Sequence, residues 1–113
     1  MPDDSVDLQL LAPQVAALMP RAHDDLARLV AFRSVADPSV EPVSECIACA
    51  NEVADLFRAV GLHDLELLPM PHGHPAVYGR RPAPLGKPTV LLYAHYDVQP
   101  PSTPRPGDRR PSR

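Results

Sequence analysis

The chain has 113 residues, 44% of them hydrophobic, and a formal net charge of −3. That length allows at most one modest domain with a usable core, and no apolar run approaches the ~20 residues needed to span a bilayer. The mildly acidic balance gives no general reason for a nucleic-acid or membrane partner.

Residues 1–12 read as a loose leader. Met1-Pro2-Asp3-Asp4 is acidic where a secretory signal is basic, and no long apolar stretch follows. A cytoplasmic protein is expected. From Pro13 to Phe32 the pattern is helical, with Val15, Leu18, Leu26, Leu29 and Val30 recurring at spacings near three and four. Pro13 suits a first helical turn, where its missing N–H costs nothing. Pro20 predicts a kink, or two helices meeting there. Ser34 to Val40, with Asp37-Pro38, reads as a loop.

A second helix fits Pro42 to Val60. Val43, Cys46, Ile47, Ala50, Val53, Ala54 and Phe57 make its apolar stripe, and Gly61 supplies a C-terminal stop. Leu65 to Leu68 is a short strand, residues 71–75 a turn, and Ala76 to Gly79 a second strand. The strongest strand signal is Thr89 to Ala94, a run without polar alternation. Such runs suit a strand buried on both faces of a parallel sheet. Helix, helix, then strands points to an α/β architecture: two N-terminal helices packed on a mostly parallel, incomplete sheet. Residues 100–113 hold five prolines and four arginines against one aspartate. Such a tail cannot build a core and is expected to be disordered.

Chemistry concentrates at His95 and Asp97. Residues i and i+2 of a strand point to one side, and a strand tip is where α/β sheets bind ligands. One reading makes His95 a zinc ligand with Asp97 orienting its ring. The other makes them a strand-end histidine and a turn-former ahead of Pro100. Cys46 and Cys49 form a possible redox or metal pair, but no second pair accompanies them. Two small buried hydrophobes at i, i+3 is the favoured reading, with both thiols reduced in a cytoplasmic chain. His72-Gly73-His74 sits in a turn with no carboxylate or cysteine nearby, and reads as surface. The arginine-rich tail could bind nucleic acid, but without aromatics or a folded reader a solvated tail is favoured.

Leu92-Tyr93-Ala94-His95-Tyr96-Asp97-Val98-Gln99-Pro100 resembles the first metal-site motif of the aminoacylase/carboxypeptidase superfamily of co-catalytic zinc peptidases. The similarity is to its carnosinase-like dipeptidase branch. More loosely, Leu26 to Val35 resembles that family's N-terminal helix and the serine-containing loop after it. Asn51 to Leu62 resembles its second helix. The resemblance implies that residues 13–99 are the N-terminal part of a peptidase catalytic domain. It implies two zinc ions sharing an activated water, and a dipeptide or N-acyl amino acid as substrate. His95 matches a metal ligand, and Asp97 matches the catalytic aspartate that orients it. The remaining ligands, the general base and the domain for homodimerisation lie downstream in the family. After Pro100 the resemblance stops. Pro/Arg/Gly/Ser strings are what a shifted frame in GC-rich DNA yields, so an N-terminal fragment, inactive alone, is expected. An alternative is a non-catalytic module that assembles with a separately encoded C-terminal half.

Overall fold

A computed structural model describes residues 6–71 and 73–101. The arginine-rich tail beyond residue 101, His72 and the first five residues lie outside the described set, and with them the expectations placed there. The chain divides into two units, one ending at Ala31 and one beginning at Phe32.

The first unit is a single helix, α1, Leu8–Ala31. It starts five residues before the periodicity predicts, because Asp7 is an N-cap. The Asp7 carboxylate accepts the Gln9 backbone N–H at 2.9 Å, and its carbonyl accepts the Leu11 N–H at 3.3 Å. A cap of this kind satisfies donors that the first turn leaves open. Residues 8–12 are therefore helical, where a loose leader was expected. Pro13 and Pro20 both lie inside α1, so two helices do not meet at Pro20. Each proline forfeits one helical hydrogen bond, but the flanking Leu, Ala, Gln, Met and Arg residues are strong helix formers. Asp25 braces the surface of α1, pairing with Arg28 at 2.5 Å and Arg21 at 3.9 Å. Exposed i, i+3 and i, i+4 pairs of this kind contribute about 0.3–0.5 kcal/mol each.

The second unit opens with a loop. Asp37 accepts both the Ser39 N–H at 2.9 Å and its hydroxyl at 2.6 Å, and these bonds hold the Asp37 carboxyl below its ordinary pKa. Helix α2, Val43–Ala59, follows from the Pro42 N-cap. Glu45 in its first turn complements the helix dipole and accepts the Arg33 N–H at 3.2 Å. The C-terminus is a Schellman motif, with Gly61 N–H bonded to Arg58 O and Leu62 N–H to Phe57 O, both at 3.1 Å. Gly61 has φ +87°, a conformation only glycine takes without steric cost.

Two strands form an antiparallel hairpin: β1, His63–Leu68, and β2, Ala76–Arg80. The register pairs Leu68 with Ala76, Leu67 with Val77, Glu66 with Tyr78 and His63 with Arg80, with a bulge between His63 and Glu66. Asp64 in the bulge has φ +53° and ion-pairs with Arg80 at 3.3 Å. Helix α2 packs on both strands. Phe57, Leu62 and Leu65 close over Gly79, where an added Cβ would lie 2.6 Å from Leu65 Cδ2. The core is small: Val35, Cys46, Cys49, Ala50 and Ala54, with Ser34 fully buried among the polar residues.

The expected mostly parallel sheet is corrected. The sheet among the described residues is a two-stranded antiparallel hairpin. Thr89 to Ala94 is in no strand, and Val90, Leu91, Leu92 and Tyr93 are 75–89% exposed. A strand buried on both faces needs a neighbour on each edge to take its backbone N–H and C=O groups. Within the described residues nothing supplies those neighbours.

Candidate functional site

Three consecutive residues, Tyr96, Asp97 and Val98, are half-buried after the exposed run. The buried Ser34 meets them twice. Its hydroxyl donates to the Tyr96 carbonyl at 3.3 Å, and its own carbonyl accepts the Val98 N–H at 3.0 Å. The Tyr96 hydroxyl donates to the Pro75 carbonyl. Its ring meets His74 edge to face, with centroids 4.9 Å apart. Burial pushes the Tyr96 phenol up to about 12, with Cys46, Cys49 and Asp97 adding to the shift.

With Tyr96 turned inward, His95 faces out and Asp97 is half-buried. The His95 side chain is 76% exposed and that of Asp97 26%. His95 Nδ1 lies 3.2 Å from Asp97 Oδ1 and 3.2 Å from the Asp97 carbonyl oxygen. The Asp97 carbonyl oxygen can only accept, so this contact assigns the proton to Nδ1. The Nε2 lone pair of the neutral ring is then free toward solvent. A carboxylate fixing one ring nitrogen while the other stays available is how metal-bound imidazoles are oriented. An exposed pair of this type contributes only about 0–1 kcal/mol, so the pair does not itself order the segment.

The donor set suits one arm of a metal centre and no more. No group of three or more His, Cys, Asp or Glu side chains among the described residues could hold a metal ion. A hydrolytic zinc takes about three protein ligands plus an open position. His95 provides one, and Asp97 acts through it. A shallow pocket lined by Val35, Pro38, Val43, Cys46 and His74 lies beside the segment, but neither His95 nor Asp97 lines it. His74 Nδ1 is buried there without a hydrogen-bond partner.

The two cysteines sit on the buried face of α2, 1% and 0% exposed, as thiols rather than a disulfide. Cys46 Sγ donates to the Val35 carbonyl at 3.4 Å. Desolvation pushes both thiols up, with Asp97 next in weight for Cys46 and a Ser34 hydrogen bond partly opposing it for Cys49. Un-ionised and enclosed, they behave as core residues rather than nucleophiles. Ser34 and Tyr96 were visible in the sequence only as letters of a loop and a motif. No local signal marks the pair, because the contact spans 62 positions.

The chain is 31% identical to the Cys-Gly metallodipeptidase DUG1 of Candida albicans over 112 aligned positions, which cover 86% of this chain and 22% of that protein. It thus spans about a fifth of that relative's length. No family model and no solved structure matches the chain. The relationship is metallodipeptidase-like, in agreement with the coarser part of the resemblance carried by the His95 motif. No described helix is long and apolar enough to cross a membrane.

Proposed function

We propose that this chain carries the first ligand arm of a metal-dependent dipeptidase, with His95 Nε2 as a zinc ligand and Asp97 as the carboxylate that fixes its tautomer. The observation that supports the reading most is the Nδ1 contact to Asp97, within a chain related to a metallodipeptidase. When bound, a zinc pair supplies an activated water for attack on a peptide or amide carbonyl. The part of this chain is to hold one imidazole in the correct tautomer at the surface. The substrate class is a dipeptide or N-acyl amino acid, and the reduced, buried thiols accord with a cytoplasmic setting.

One ligand binds zinc weakly. Calorimetric titration of the 113-residue protein is expected to show affinity no tighter than micromolar, abolished by His95→Ala, and no dipeptide hydrolysis. A stoichiometric submicromolar site would overturn the single-arm reading.

The exposure of Val90 to Tyr93 favours a second reading, a module completed by further polypeptide that pairs with this run. Coexpression with the remaining length of a metallodipeptidase restores zinc-dependent hydrolysis on this reading. A soluble but inactive mixture argues against it.

A further inference from the structure

We propose that Ser34 is a positioning residue for the His95/Asp97 pair, an inference that rests on His95 being a metal ligand. An exposed His/Asp pair is too weak to order a chain segment, and the five residues before His95 are exposed and without strand pairing. The order therefore comes from the other side of the backbone. Ser34 makes two hydrogen bonds to the segment, to the Tyr96 carbonyl and from the Val98 N–H. These are the peptide groups flanking Asp97. Holding both fixes the backbone of Asp97 from each end, and so aims its carbonyl and carboxylate oxygens together at His95 Nδ1. Ser34 acts on the imidazole through Asp97 without touching it.

Ser34 is itself held. It is 0% exposed, beside the equally enclosed Cys49, which shares a hydrogen bond with it. A serine fits this position because its small hydroxyl donates to the Tyr96 carbonyl from an enclosed site. Alanine removes the hydroxyl bond to Tyr96 and leaves only the backbone carbonyl bond to Val98.

The test reads the metal-free protein, so a failure of the clamp is distinguishable from a failure of zinc to bind His95. In the wild type, the Val98 amide is expected to exchange slowly with solvent while those of Leu91 and Leu92 exchange fast. Equally fast exchange at Val98 overturns the proposal without any variant. In Ser34→Ala, with α2 and hairpin resonances unchanged, nitrogen chemical shifts of His95 are expected to show loss of the Nδ1–H tautomer preference. Zinc affinity falls with it by about tenfold, the lower end for residues that orient a ligand. A folded Ser34→Ala protein in which His95 keeps its Nδ1–H preference contradicts the proposal.

Discussion

Tyr96 anchors the candidate site from within, and its burial has a consequence in pH. Its pKa rises from 10 to about 12 in the folded chain, with desolvation as the main cause. The unfolded chain therefore releases this proton first, and the stability that Tyr96 contributes is complete below pH 10 and lost as pH rises from 10 to 12. Cys46 and Cys49 act with the same sign, starting from 9. Urea midpoints are expected to fall across this range more steeply in the wild type than in Tyr96→Phe. Equal slopes would show that the phenol is not buried in solution. At this scale His95 and Asp97 were legible, because an i, i+2 pair announces itself by spacing alone. Ser34 and Tyr96 were not, because they meet across 62 positions and only the folded chain brings them together.

At the scale of elements, α2 was read almost to the residue. Its stripe from Val43 to Phe57 and the stop at Gly61 are both local signals. The Gly61 conformation predicts that Gly61→Ala costs about 1–2 kcal/mol in denaturant unfolding, from φ strain alone, since an added Cβ there would meet nothing within 4 Å. An unchanged unfolding free energy would refute the Schellman account of this terminus. The two strands and the turn at 71–75 were legible as local signals, but their antiparallel pairing was not, since a parallel sheet was expected. The start of α1 at Leu8 lies ahead of its apolar periodicity because the Asp7 cap, and not the stripe, sets it. Pro20 does not divide α1, since a proline weakens a helix by a finite amount that good neighbours offset. Thr89 to Ala94 shows the limit of composition. Leu91, Leu92 and Tyr93 record what such a segment needs around it, and not whether those neighbours are present.

For the whole molecule, two units are described: a lone helix and a small α2/hairpin body that receives the His95 segment. Similarity to a metallodipeptidase over 22% of that protein's length and a single histidine arm with its carboxylate are consistent with each other. Four large apolar side chains left exposed at Val90 to Tyr93 are surface that soluble proteins normally cover. They lie directly ahead of the histidine, so whatever packs on them would also frame the site. The account rests on which nitrogen of His95 is free. Its most direct test follows the histidine ring nitrogens by NMR as zinc is added to the 113-residue protein. The prediction is that His95 Nε2 shifts on metal addition while Nδ1 stays protonated against Asp97. Metal at Nδ1, or a His95 ring that zinc leaves unmoved, would contradict it.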